Sequence, residues 1–205
     1  MRNKLDITEK SKRHFDSTAE NYDDSSDGKF TGKMYNALLA ELGKHKDGVW
    51  LDAGCGNGNV LEPLTNTALQ LYGIDLSDKM MEEADKRLNG RAKLQTANAE
   101  RLPFGDGMFD ILVCNASFHH YPNPNAVLDE MNRVMRKGAF LYIGESYVAG
   151  AARLFMNIFI RFSSDGAFRI YGKRELTRLL EAHGFKLTGF MKTAKHAVLY
   201  TAIKQ

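Results

Sequence analysis

Three glycines at alternate positions, Gly54, Gly56 and Gly58 in LDAGCGNGNV, follow directly on Asp52 and an apolar run. Glycine at such spacing lets backbone approach something that a side chain would block. A second carboxylate, Asp75, closes the next apolar run, 23 residues after Asp52. An acidic residue there can accept hydrogen bonds from both hydroxyls of a ribose. The chemistry of this pair is nucleoside binding, and two common nucleotide readings fail at named residues. The dinucleotide fingerprint G-x-G-x-x-G needs glycine at position 59, where the chain has Asn59, and the phosphate loop's Lys-Ser/Thr pair is absent. What survives is a nucleoside ligand without a pyrophosphate.

A second group could move protons. His119, His120 and Tyr121 follow the run FDILVCN, which ends at Asn115. They are candidate bases toward an acceptor hydroxyl or an acidic carbon. The competing reading of either histidine is a packing or capping role at the next helix. Adjacent histidines cannot share one helical face, and no cluster has metal-ligand spacing, so no metal is assigned. Cys55 and Cys114 are the only cysteines. Two cysteines make neither a disulfide framework nor a metal cage, which points to a reducing, cytoplasmic setting.

These groups need elements to position them. GVWLDA (48–53), LQLYGID (69–75), RAKLQTA (91–97), FDILVCN (109–115) and AFLYIGE (139–145) read as strands. Between them, 76–88 places Met80, Met81, Ala84 and Leu88 on one helical face with Ser77 as N-cap. Residues 123–138 do the same with Val127, Leu128, Met131, Val134 and Met135, opening on Asn123 as N-cap and Pro124 and stopping at Gly138. Strands alternating with amphipathic helices predict a parallel sheet covered on both sides. After a helix near 173–183, FKLTGFM and HAVLYTAI are joined too briefly for parallel neighbours and predict an antiparallel hairpin. Residues 1–30 are polar with Phe15, Tyr22 and Phe30 among them, and read as a loosely ordered arm or lid before a helix at 32–44.

The 205 residues, 43% hydrophobic and 26% charged, suit one domain with at most a small cap. A net charge of +3 without any block of like charges argues against a nucleic-acid partner. The start, MRNKLDITEK, has no apolar core of a secretory signal. The longest apolar stretch, near 154–160, is too short to span a bilayer.

In VWLDAGCGNGNV, YGIDLSDKMMEEA, ANAERLPFGDGMFDILVCNASFHHYPNP and FDSTAENYDD, taken in order, the chain resembles the class I S-adenosylmethionine-dependent methyltransferases. The likeness is to the small-molecule branch that includes the ubiquinone and menaquinone C-methyltransferases. It is clear over about residues 15–145 and loose beyond. The resemblance implies a Rossmann-like doubly wound α/β sheet of order 3-2-1-4-5-7-6 with strand 7 antiparallel. Residues 1–30 would be the lid and 31–205 the methyltransferase domain, with a cap insertion at 146–172.

It also implies roles. Backbone at Gly54, Cys55 and Gly56 would lie against the methionine part of S-adenosylmethionine, with Asp52 orienting its ammonium group and Asp75 holding the ribose. Leu76 would pack on the adenine, Asn98 and Ala99 would face its edge, and Asn115 would stand near the transferable methyl. Tyr22 would close over the cofactor. Asn98 departs from the family's more usual Asp, but an amide oxygen accepts as a carboxylate does. Where a base is used, His119 ranks ahead of His120, because the family's equivalent loop borders the acceptor. NASF (115–118) lacks both prolines of the amino-methyltransferase motif Asn/Asp-Pro-Pro-Tyr/Phe, which demotes methylation of adenine or glutamine nitrogen.

The cap, VAGAARLFMNIFIRF (148–162), is apolar except for Arg153, Asn157 and Arg161 spaced by four. Such a helix wants burial on most sides. It reads as a helix packed on the core, or as an acceptor pocket, dimer contact or peripheral membrane contact made by Leu154, Phe155, Ile158 and Phe159. Arg153, Arg161, Arg169, Lys173 and Arg174 could supply an anion-binding rim. The expected partner is a small, apolar or aromatic acceptor, the protein being a monomer or homodimer. The alternatives are a macromolecular acceptor, a cofactor-binding regulator without turnover, and a dinucleotide-dependent oxidoreductase, against which Asn59 argues.

Overall fold

The apolar runs form seven strands of one sheet in a computed structural model that describes residues 4–67, 69–160, 163 and 165–205. They are β1 (Val49–Ala53), β2 (Gln70–Asp75), β3 (Lys93–Thr96), β4 (Phe109–Asn115), β5 (Met135–Ser146), β6 (Phe185–Ala194) and β7 (Ala197–Lys204). Their order is β3-β2-β1-β4-β5-β7-β6. All pairings are parallel except those of β7, which runs antiparallel to both β5 and β6. The order expected from the resemblance is the order found. The central strands β1 and β4 are buried on both faces, so they read as continuous apolar runs. The edge strand β3 is largely exposed and more polar.

Helices cover both faces. On one side α4 (Pro124–Val134) and α6 (Lys173–Ala182) bury Val127, Leu128, Met131, Leu176 and Leu180 against Leu51, Leu112 and Ile143. On the other, α2 (Ser26–Leu42) and α3 (Asp78–Leu88) bury Leu38, Leu42, Ala84 and Leu88 against Trp50, Ile111 and Tyr142. The chain winds from β1 to β2 and β3 on one side and returns to β4 on the other. The carboxyl ends of β1, β2 and β4 therefore meet at the switch point where α/β sheets bind ligands.

Four local expectations are corrected. The polar arm is ordered as α1 (Lys4–Thr18) followed by a 3-10 turn (Ala19–Asp24). Helix α2 begins at Ser26 and not at 32, because the Ser25 hydroxyl accepts the Gly28 N–H at 3.0 Å; the helix thus runs across residue 30. Asn123 gives no side-chain cap to α4, and that helix ends at Val134, its chain passing straight into β5. Gly138, with φ +80°, sits inside β5 and stops no helix.

The cap helix α5 (Gly150–Phe159) buries none of its side chains. Arg153 bonds Glu175 at 2.7 Å, and Asn157 takes both the carbonyl and the N–H of Ile170, at 3.0 and 2.9 Å. The polar stripe thus faces inward, and Leu154, Phe155, Ile158 and Phe159 stand more than half exposed, at 52–63%. Arg161, expected to extend the stripe, lies outside the described residues. Among the described residues no helix is long and apolar enough to cross a membrane.

Candidate active site

The glycine loop folds onto the end of β2, where the Ile74 carbonyl accepts the N–H groups of Gly54 and Cys55 at 2.8 and 2.9 Å. Gly56 (φ +52°) would turn an added Cβ into open space. Gly58 (φ +87°) would press one against Leu88 Cδ1 at 3.2 Å, so this glycine serves loop–helix packing. Cys55 is buried with its thiol toward Met81 at 3.8 Å, and burial pushes that thiol's pKa up. Only its backbone serves the loop.

Two carboxylates define the floor. Asp75 accepts the Gly56 N–H and the Ser77 N–H, each at 2.9 Å. Its pKa is raised by burial, against the lowering effect of those N–H groups. Asp52 is 1% exposed, and neither of its oxygens has a hydrogen-bond partner in the protein. Burial first, and the Asp75 charge second, push it up to about 8. A buried carboxylate without donors is costly; an ammonium group placed beside Asp52 would remove that cost.

Asn115 ends β4, also with its side-chain oxygen buried and unpartnered. The next residue, Ala116, takes φ +53°, unusual for a residue with a Cβ, and its N–H is held by the Gly144 carbonyl at 2.7 Å. This turn sets Ser117 and Tyr121, hydroxyls 2.7 Å apart, against the glycine loop. A cavity lies between them, walled by Asp75, Leu76, Asn98, Ala99, Asn115 and His120. The Asn98 oxygen already accepts the Glu100 N–H at 2.9 Å, which fixes that side chain beside the cavity.

Helix α1 and the 3-10 turn roof the cavity with Ser11, Lys12, Phe15 and Tyr22. Lys12 reaches the Leu76 carbonyl at 3.1 Å and Asp78 at 2.6 Å, and Asp16 accepts the Ser77 hydroxyl at 2.6 Å. Asp23 accepts from Asn57 at 2.9 Å, Asn59 at 2.7 Å and Arg87 at 2.6 Å. The roof is tied to the glycine loop through the same Asn59 that breaks the dinucleotide pattern. Sequence reasoning missed Asp23, whose signal was the acidic pair beside Tyr22.

The two histidines separate. His120 lines the cavity, and its ring meets Phe15 edge-on with centroids 5.1 Å apart. His119 lies behind it, its Nδ1 2.9 Å from Glu145 Oε2. Glu145 was also missed; its signal was a carboxylate at the end of an apolar strand.

The residues fit a nucleoside bearing a cation: an open glycine turn, a carboxylate at the end of β2 and an orphaned carboxylate that an ammonium group would pair. A family model described as a methyltransferase domain matches residues 51–143. The chain is similar to the 27-O-demethylrifamycin SV methyltransferase of Amycolatopsis mediterranei, 34% identical over 46% of this chain and 37% of that protein, so it spans little more than a third of that relative. It is similar to a demethylmenaquinone methyltransferase of Staphylococcus aureus, 25% identical over 72% of each chain. Its fold is shared by the 1,6-didemethyltoxoflavin-N1-methyltransferase of Burkholderia thailandensis, solved with 1,6-didemethyltoxoflavin and S-adenosylhomocysteine bound. That structure superposes with a TM-score of 0.75 at 17% identity, covering 100% of this chain and 92% of the other. Residues 51–143 thus match a methyltransferase domain, and the chain shares the fold of the class I S-adenosylmethionine-dependent methyltransferases, whose cofactor is S-adenosylmethionine.

Proposed function

We propose that the protein transfers the methyl group of S-adenosylmethionine to a small acceptor with an apolar or aromatic body. One observation carries the size of the acceptor: Phe15 of α1 and Tyr22 of the 3-10 turn roof the cavity, which supports an acceptor small enough to lie beneath them. In this reading Gly54, Cys55 and Gly56 hold the methionine part by their backbone and Asp52 holds its ammonium group. Asp75 holds the ribose, Leu76, Asn98 and Ala99 the adenine, and Tyr22 closes the seat. Asn115 stands near the methyl. The sulfonium supplies the driving force of transfer, and the protein aligns acceptor, carbon and sulfur and excludes water. Relatives named for a demethylmenaquinone and a demethylrifamycin support an acceptor of this kind.

The exposed apolar face of α5 favours contact with a lipid surface or a second copy of the chain over a role inside the acceptor chamber. Two measurements test the reading. Calorimetry with S-adenosylmethionine, S-adenosylhomocysteine and NAD should show binding of the first two alone. Release of S-adenosylhomocysteine with a panel of phenols, quinols and other aromatic metabolites should identify an acceptor. Binding without release over the whole panel would make the protein a cofactor-binding regulator. Sedimentation on anionic vesicles and gel filtration separate the two readings of α5.

A further inference from the structure

Helix α5 is amphipathic in the reverse sense of an ordinary surface helix. Arg153 and Asn157 are its half-buried residues, and the other eight are exposed. Those two side chains tie it to Glu175 and to the backbone of Ile170, so polar contacts hold the helix while its apolar residues face out. Of the seven large apolar side chains exposed among the described residues, five lie on α5: Leu154, Phe155, Met156, Ile158 and Phe159. An apolar face gathered in this way marks a contact surface. The basic charge of the chain gathers at the same place. Residues 150–180 hold six Lys or Arg against two carboxylates, and the rest of the chain is slightly acidic.

That charge lines a groove beside the helix. Arg153 of α5, Arg169, and Arg174 and Arg178 of α6 border it, with Glu175 the one carboxylate among its described walls. Glu175 is already shared between Arg153 and Arg169. Arg174 and Arg178, exposed and one helical turn apart, have no ion-pair partner among the described residues. The groove thus keeps positive charge that nothing neutralises, and Arg153 joins it to the helix that carries the apolar face. We propose that this surface docks the protein on an anionic phospholipid membrane. The apolar face of α5 enters the acyl boundary, and the arginine groove takes a lipid phosphate, which guanidinium groups bind through paired hydrogen bonds.

Size and charge favour a lipid surface over a second copy of the chain. A helix of ten residues is about 15 Å long and, with side chains, about 10 Å wide. Its footprint of roughly 150 Å² falls well short of the about 800 Å² that each side of a stable protein interface buries. A two-fold contact through α5 would also bring each arginine groove toward its own copy, and like charges repel. A bilayer closes around the helix instead, and its anionic headgroups meet the groove. The proposal deepens the lipid reading of α5 given above and does not depend on methyl transfer. It also ties the docking surface to the chamber. The His119 carbonyl accepts the N–H groups of Phe168 and Arg169 at 2.8 and 3.1 Å, so the groove hangs from the turn that brings His120 to the cavity.

Sedimentation of the full chain with vesicles is the test. Mixed phosphatidylcholine–phosphatidylglycerol vesicles should carry the protein down, and vesicles of phosphatidylcholine alone should not. Arg174→Gln combined with Arg178→Gln should lower partitioning onto the mixed vesicles about 25-fold, and added salt should weaken the wild type in the same direction. Phe155→Ser combined with Phe159→Ser should lower it about 100-fold. All four side chains are exposed and outside the cofactor seat, so Tm and S-adenosylhomocysteine affinity should stay at their wild-type values. Phe155→Trp should give an emission that shifts to the blue on mixed vesicles and is quenched by brominated acyl chains, which adsorption by charge alone would not produce. Equal sedimentation on phosphatidylcholine alone, or full binding by the arginine variant, overturns the role of the groove. Displacement by inorganic phosphate at constant ionic strength assigns the groove to the free anion and overturns the lipid occupant. Absence of sedimentation overturns the proposal outright, and a dimer in gel filtration that Phe155→Ser dissolves would then assign α5 to a second copy. None of these readouts needs cofactor or acceptor. A chain that docks but binds no S-adenosylmethionine therefore overturns the methyl-transfer reading and leaves the docking surface standing.

Discussion

The Asp75 carboxylate accepts the Gly56 N–H at 2.9 Å, so the end of β2 holds the tip of a loop that precedes it by 19 residues. Its other oxygen holds the Ser77 N–H at the start of α3. Each such bond to a charged group is worth about 1.5–3 kcal/mol. Asp75→Ala should therefore weaken S-adenosylhomocysteine binding by about 100-fold in calorimetry. An unchanged affinity would remove Asp75 from the support of the loop.

Asp52 gives the binding a pH dependence of definite sign. Burial and the Asp75 charge place its pKa at about 8 in the ligand-free protein, so it carries a proton below that pH. A ligand ammonium favours the ionised form, so binding releases a proton and affinity rises as pH rises toward about 8. Stability of the ligand-free protein runs the other way. A carboxyl whose folded pKa lies above its unfolded value near about 4 binds protons more tightly when folded, and its contribution is lost between about pH 4 and about pH 8. Asp52→Asn should flatten both slopes and cost about 10- to 100-fold in affinity. Calorimetry in buffers of different ionisation enthalpy would count the proton directly.

Asp23 is the latch of the roof. It takes three donors from the glycine loop and α3, and its partial exposure limits the set to about 1–2 kcal/mol. Asp23→Ala should speed S-adenosylhomocysteine dissociation about tenfold, and amide exchange in α1 should rise with it. Stopped-flow release with an unaltered rate would show that the roof does not gate the cofactor.

Two glycines of the loop should respond differently to alanine. Gly58→Ala takes a left-handed residue into contact with Leu88 and should lower stability by about 1–2 kcal/mol, or about 3–6 °C in Tm. Gly56→Ala carries the same conformational cost, but its methyl points into the open seat. It should lose cofactor affinity beyond any loss of Tm, and equal losses in both variants would contradict this division.

The glycine turn, the Ser77 cap and the buried face of α4 were legible because each follows from local pattern, period or capping residue, whereas the sheet order came only with the family resemblance. What was not legible depends on distant partners. KLDITEKSKRHFDST has no clear apolar stripe, and its helix is anchored by Lys12 and Asp16 bonding to residues more than sixty positions away. Asn59 was readable as a failed glycine but not as a donor to Asp23. Helical spacing could not separate His119 from His120. A single 3-10 turn, clamped by a carboxylate on another strand, sends one ring to the cavity and the other behind it.

The roof spans both ends of the chamber. Lys12 ties α1 to Leu76 and Asp78 on the side where the adenine would lie, and Phe15, three residues on, rests against His120 on the acceptor side. One helix thus lines both ends of the cavity. In the proposed reading, spent nucleoside and methylated acceptor would share a common exit barrier, and neither would be exchanged without unsealing the other. A substitution at Lys12 or Phe15 is therefore expected to alter the exchange of both molecules at once.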